Sequence, residues 1–164
     1  NKVMSFVKKP KDLLELYCGS GTFSLPMRKI FNNVFVTENN RQSIRCLNKS
    51  ISEQNIRNIY HARLSAQEVS ELFEGRIFRR MKEINIHNFN FSHVLVDPPR
   101  AGLDKEVIKL INKFENIIYI SCNYETYARD IKNLRSHQIK NIEIFDQFPN
   151  TDHLEIVSIL SKNN

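Results

Sequence analysis

Long apolar runs are missing from this sequence. No stretch approaches the roughly 20 consecutive apolar residues of a membrane span, and no signal-peptide pattern opens it, so no membrane association is expected. Cysteine pairs are missing too. Cys18, Cys46 and Cys122 are widely spaced, with no C-x-x-C and no Cys/His cluster at metal-ligand spacing. That removes a zinc site and a disulfide framework from consideration. An odd number of thiols without a secretory signal points to a reducing, cytoplasmic setting. Internal repeats and low-complexity segments are also absent.

What is present is ordinary in bulk. The 164 residues suffice for one domain with a sizeable core, and 41% hydrophobic with 26% charged residues is usual for a soluble globular chain. Lys and Arg exceed Asp and Glu by 24 to 18, a net +6. That excess suits a polyanionic partner, and it suits solvated lysines on helix faces equally well. The opening Asn-Lys-Val-Met is not a natural-looking start, so residues 1–11 are expected to be a remnant or linker from a longer protein.

The order of elements reads clearly. Asp12-Leu-Leu-Glu-Leu-Tyr-Cys18 is a buried strand; Gly19-Ser-Gly21 turns into a helix over 22–31. Further strands are expected at 33–38, 58–64, 92–97, 116–121, 139–145 and 153–160. Helices fall at 41–55, from the capping box Ser65-Ala-Gln-Glu68, and at 104–114 and 124–135. Residues 74–90, with Arg76, Arg79, Arg80 and Lys82, break the rhythm and read as an insertion. The last two strands have no room for a helix between them and should pair antiparallel. The expectation is an α/β fold: a doubly wound, mostly parallel, Rossmann-like seven-stranded sheet with a C-terminal antiparallel hairpin.

Ligands of such sheets sit at the carboxyl ends of the strands. Gly19 and Gly21 lie on the first tight turn, where a backbone can approach a ligand closely. Glu38 ends the second strand, where an acid can accept hydrogen bonds from ribose hydroxyls. The third glycine of a dinucleotide fingerprint would fall at Ser24 and is missing, which disfavours a nicotinamide dehydrogenase. With the strand-borne acid Glu15 just before the turn, the pattern resembles the S-adenosylmethionine (AdoMet) site of class I methyltransferases. In base-modifying methyltransferases, an acid followed by Pro-Pro after the fourth strand lines the junction between methyl donor and base, as Asp97-Pro98-Pro99-Arg100 would here.

Cys122 ends the fifth strand on the same rim, before a helix N-terminus whose dipole favours a thiolate. A thiolate adding to carbon 6 of uracil makes carbon 5 nucleophilic, and a base must then take the carbon-5 proton. His153 and Glu155, at the opening of the last strand, are both candidates for that base, and spacing does not choose between them.

The stretches D-L-L-E-L-Y-C-G-S-G-T-F-S-L, V-D-P-P-R-A-G-L-D, Y-I-S-C-N-Y-E-T and F-D-Q-F-P-N-T-D-H-L-E together resemble the catalytic domain of the tRNA (uracil-5-)-methyltransferases, over nearly the whole chain. The resemblance implies a catalytic domain over 12–164 that forms 5-methyluridine at position 54 of the tRNA T-loop. AdoMet would be the consumed methyl donor, tRNA the partner with tmRNA as a further candidate, and the protein a monomer without a metal. It implies Cys122 as nucleophile, Glu155 as proton acceptor, and Tyr17, Thr22, Glu38 and Asp97 at the AdoMet-binding positions. Tyr124 stands where the family usually has proline, Asp152 where close relatives often have histidine, and Thr22 where they often have asparagine. The family also carries an N-terminal portion that helps bind RNA and supplies a glutamine to the AdoMet site; it is absent here. The remaining readings are uracil methylation of ribosomal RNA, with the same chemistry, and a non-catalytic RNA-binding remnant.

Overall fold

Apolar strands alternate with capped helices from Asp12 onward, and a computed structural model shows how they assemble; it describes residues 2–146 and 154–163. In chain order the elements are α1 (Lys2–Phe6), β1 (Asp12–Leu16), α2 (Ser24–Met27), β2 (Asn33–Thr37), α3 (Arg41–Glu53), β3 (Ile59–Ala62) and α4 (Ala66–Phe73). There follow β4 (Phe91–Val96), α5 (Lys105–Ile111), β5 (Asn116–Ser121), α6 (Tyr124–Ile131), β6 (His137–Phe145) and β7 (Glu155–Lys162). The seven strands form one sheet in the order β3-β2-β1-β4-β5-β7-β6. The first five are parallel, and β7 enters antiparallel between β5 and β6. The chain runs outward from β1 to β3, then crosses back to β4, so the switch point lies between β1 and β4. This is the expected doubly wound sheet.

Continuous burial explains the parallel part. All five residues of β1 and the last five of β4 and β5 are buried, because helices cover both faces. On one face Leu14, Leu16, Val94, Val96, Ile117 and Tyr119 pack with α4, α5 and α6. On the other, Leu13, Val34, Val36, Leu95, Ile118 and Ile120 pack with Met27 of α2 and Leu47 of α3. Each fully buried aliphatic side chain contributes about 1.5–3 kcal/mol.

Local chemistry sets the helix starts. Asn40 Oδ1 accepts from the N–H groups of Gln42 and Ser43 to open α3. Ser65 and Glu68 form the reciprocal capping box of α4 that the sequence promised. Several boundaries differ from the sequence reading. Tyr17 has φ +60°, so β1 stops at Leu16, two residues early. The helix expected over 22–31 is a single α-turn, Ser24–Met27, followed by looser turns to Phe31. Pro26, in its first turn, offers no N–H, and the Asn58 side chain donates to the carbonyls of Arg28, Phe31 and Asn32 as the chain swings into β2.

Residues 74–90 do contain irregular structure, with 3₁₀ turns at Arg79–Met81 and Ile86–Asn88. They are also part of the core: Phe78 and Met81 are buried in the first cluster, and Phe89 stacks parallel on Phe91 at 5.1 Å. The guanidinium groups of Arg76 and Arg80 lie over Phe78, and they pair with Glu71 and Glu68. Two of the four basic residues there are therefore tied to the fold itself. Residues 2–6, read as linker, form α1, and Val3, Met4, Phe6 and Val7 pack on the second cluster. Among the described residues no helix is long and apolar enough to cross a membrane.

Candidate active site

Strand alternation gathers the chemistry on one face. In β1, Leu13 faces the α2–α3 side, so Glu15, two residues on, faces it too. Leu95 and Ile120 share that face, and continuing past the strand ends places Asp97 and Cys122 on it. The β5–β7 register pairs Ser121 with Ile156; carried one step further, it sets Cys122 opposite Glu155, the first residue of β7. Neighbouring strands are roughly 4.8 Å apart. Glu15, Asp97, Cys122 and Glu155 thus line the carboxyl ends of β1, β4 and β5 and the start of β7.

The carboxyls of this group feel one another, Glu15 with Asp97 and Asp97 with Glu155. Burial pushes the Asp97 carboxyl up to about 6, and the charge of Glu155 raises it further within that value. Burial also raises Glu155 above the usual carboxylate range. Glu15 is fully enclosed, and burial lifts it to about 8; nearby Ser24 pulls it down and Asp97 pushes it up. Neither carboxyl oxygen of Glu15, nor the Ser24 hydroxyl, has a hydrogen-bond partner of good geometry. An orphaned buried carboxyl costs several kcal/mol unless something compensates it.

The Cys122 backbone is tightly held. Ser121 Oγ donates to the Asn123 carbonyl at 2.9 Å, and Asn123 N–H donates back to Ser121 Oγ at 3.1 Å. Cys122 is a half-buried free thiol between them. The Asn123 side chain caps α6 by accepting from Glu125 and Thr126 N–H. The first-turn donors expected to favour a thiolate are therefore occupied by Asn123, and Cys122 sits one residue outside the cap.

The other expected residues distribute as follows. Gly19 N–H donates to Glu38 Oε2 at 3.0 Å, and Asn40 N–H to Glu38 Oε1 at 2.7 Å. Gly19 has φ +54° and open space where a Cβ would stand, whereas a Cβ on Gly21 would meet Leu47 Cδ1 at 2.6 Å. Packing against α3 is thus enough to demand glycine at 21. Thr22 is exposed on the turn. Tyr17 is set apart from the group: it packs against the α4–α6 cluster, and burial, with Asp104 and Asp130 adding, pushes its phenol up to about 12. His153 lies outside the described residues. Glu15, the strand-borne acid before the first turn, joins the site residues expected from the sequence. Its signal was a charge at an inward position of an otherwise apolar strand.

A second network escaped the sequence reading. Asp130, fully buried on α6, accepts from Tyr119 Oη at 2.7 Å, Leu103 N–H at 2.8 Å and Arg129 Nε at 2.8 Å. Arg129 Nη2 donates to the Ala101 and Leu103 carbonyls. Asn123 Nδ2 and Thr126 Oγ1 both donate to the Arg100 carbonyl at 3.2 Å. A Cβ on Gly102 (φ +77°) would stand 2.5 Å from Arg129 Nη2 and 2.6 Å from Asp130 Oδ2. The loop that leaves Asp97 is therefore clamped onto the helix that follows Cys122.

Comparison with known proteins bears on this arrangement. Residues 3–163 match the model of the family described as tRNA (Uracil-5-)-methyltransferase. A tRNA/tmRNA (uracil-C(5))-methyltransferase of Saccharophagus degradans is 48% identical over 153 residues, covering 92% of this chain and 42% of the relative. That of Campylobacter lari is 52% identical over 147 residues, covering 88% and 42%. The crystal structure of Pyrococcus abyssi tRNA (uracil-54, C5)-methyltransferase in complex with S-adenosyl-L-homocysteine superposes with a TM-score of 0.76 at 32% identity, over 97% of this chain and 36% of that one. The chain spans well under half the length of these relatives.

Proposed function

The chain belongs to the tRNA (uracil-5-)-methyltransferase family, and we propose that it carries the catalytic domain of an AdoMet-dependent enzyme that methylates carbon 5 of a uridine in tRNA, the T-loop uridine at position 54, through a covalent cysteine adduct. One observation carries the reading: the β5–β7 ladder ends on the pair Ser121–Ile156, so Cys122 and Glu155 are the next residues of the two strands, and Glu155 is close enough to Asp97 for its charge to raise that carboxyl.

The donor site fits a cationic adenosyl ligand. Glu15 is a buried carboxyl whose only polar neighbour of its own, Ser24, makes no hydrogen bond of good geometry to it, Gly19 leaves open space above its Cα, and Glu38 stands at the ribose-binding position. AdoMet supplies an electrophilic methyl group there. Glu15, Glu38 and Asp97 would hold it, with Gly19 permitting close approach and Tyr17 and Thr22 flanking the turn.

On the RNA side the electrons balance as follows. The Cys122 thiolate forms a bond to carbon 6, and the 5,6 double-bond electrons move to give an enolate. Carbon 5 then takes the methyl group, with S-adenosylhomocysteine leaving. Glu155 removes the carbon-5 proton, the double bond re-forms, and the Cys122–carbon 6 bond breaks. A carboxyl raised by burial is a stronger base than an ordinary one, which suits this step.

The test is incubation of the chain with AdoMet and a T-arm hairpin carrying 5-fluorouridine, resolved on a denaturing gel. Fluorine blocks the final elimination, so the expected result is a covalent protein–RNA band absent from Cys122→Ala, whose turnover on ordinary RNA falls by roughly 10³-fold or more. A band that persists in Cys122→Ala would overturn the assignment.

A further inference from the structure

Tyr124 is the first residue of α6, two positions beyond Cys122, and its side chain is 56% exposed. The ring is thus largely in solvent, on the residue that opens the helix after the proposed nucleophile. Its backbone is not loose: the Ser121–Asn123 reciprocal bonds precede it, Asn123 caps its helix, and Asn123 and Thr126 bind the Arg100 carbonyl on either side of it in sequence. The Asp130 and Arg129 bonds hold the rest of α6 to the same loop. The backbone that carries the ring is therefore fixed at the N-terminus of α6.

The chemistry indicates what such a ring would meet. A uridine in a folded RNA loop must leave its stack before a thiolate can reach carbon 6. Addition at carbon 6 and methylation at carbon 5 both approach perpendicular to the uracil plane, so the faces of that base are taken by the reacting groups. The nucleotide beside it loses its stacking neighbour at the same moment. Every base has a π-face, and protein aromatic rings replace lost stacking without demanding sequence.

We propose that Tyr124 is a stacking platform for the nucleotide flanking the target uridine, an RNA contact supplied by the catalytic domain itself. The inference rests on the methyltransferase reading above.

The chain has no tryptophan, so Tyr124→Trp introduces a single indole whose emission reports stacking directly. Wild type, Tyr124→Trp, Tyr124→Phe and Tyr124→Ala are each titrated with the 5-fluorouridine hairpin and AdoMet, and both emission and adduct are read. The expected result is quenching of the indole by RNA, affinity of Tyr124→Phe within twofold of wild type, and about tenfold weaker RNA binding for Tyr124→Ala, with AdoMet affinity unchanged in all. Adduct formation with a silent indole and Tyr124→Ala binding as well as wild type would overturn the platform and leave the methyltransferase reading standing. Quenching with no adduct in wild type would support the base contact and sink the uridine chemistry. Neither signal would overturn both.

Discussion

Glu38 and Glu15 belong to neighbouring strands and end in opposite situations. Glu38 has both carboxylate oxygens engaged, by the N–H groups of Gly19 and Asn40. Glu15 has neither engaged, and burial holds it protonated to about pH 8. The β2 end of the rim has its acid fixed by the backbone. The β1, β4 and β7 positions instead keep three carboxyls in surroundings that raise them all. Folding alone does not favour such a group. Carboxyls with raised affinity for a proton at the carboxyl end of a parallel sheet are what the proposed donor and base sites would use, while Glu38 is already held by the backbone.

The largest effect that would test this division is at Glu155. Glu155→Gln should leave the attack by Cys122 intact and stop proton removal, so turnover falls about 10²–10⁴-fold while a covalent adduct accumulates on ordinary, unfluorinated RNA. A gel of the stalled reaction checks this; loss of turnover without adduct would remove Glu155 as the base.

Next comes the pH dependence of stability. Glu15 binds its proton more tightly folded than unfolded, so its contribution is fully present below its ordinary value of 4.5 and is lost as pH rises to about 8. At about 1.4 kcal/mol per pH unit, the loss is roughly 5 kcal/mol at most. Denaturant midpoints at pH 5 and pH 8 should therefore diverge in wild type, and the gap should narrow in Glu15→Gln to what Asp97 and Glu155 leave. A wild type equally stable at both would show that Glu15 is compensated after all.

The smallest effect separates the two glycines of the first turn. Gly21→Ala drives a Cβ into Leu47 at a φ of +96° and should destabilise by about 1–3 kcal/mol in denaturant unfolding. Gly19→Ala meets nothing within 4 Å, so stability should change by no more than about 1 kcal/mol, yet AdoMet affinity, read by calorimetry, should drop. Equal behaviour of the two variants would erase the distinction between a packing glycine and a binding glycine.

Much of this was legible in the residues. Leu-Leu-Glu-Leu and Ile-Ile-Tyr-Ile-Ser announce buried parallel strands because only strands covered on both faces are apolar throughout. The Ser65 capping box marks a helix start because it satisfies donors that its own helix leaves open, as Asn40 and Asn123 also do in the structure. Element ends were less legible: Tyr17 adopts a left-handed φ that its residue type does not suggest. Residues 74–90 read as an insertion because their arginines stood out. Their apolar residues at irregular spacing nevertheless fill the core beside β4.

The sequence by itself determined the order of strands and helices, the antiparallel final pair, and which side chains could do chemistry, since periodicity, caps and residue type are properties of neighbouring positions. Only the tertiary structure decided that Glu15, Asp97 and Glu155 lie close enough to raise one another's carboxyls, that no hydrogen bond of good geometry reaches Glu15, and that Asp130 binds the loop after Asp97 to the helix after Cys122. Those facts depend on which strands lie side by side and in what register, and pairings between residues tens of positions apart leave no periodic trace in a single chain.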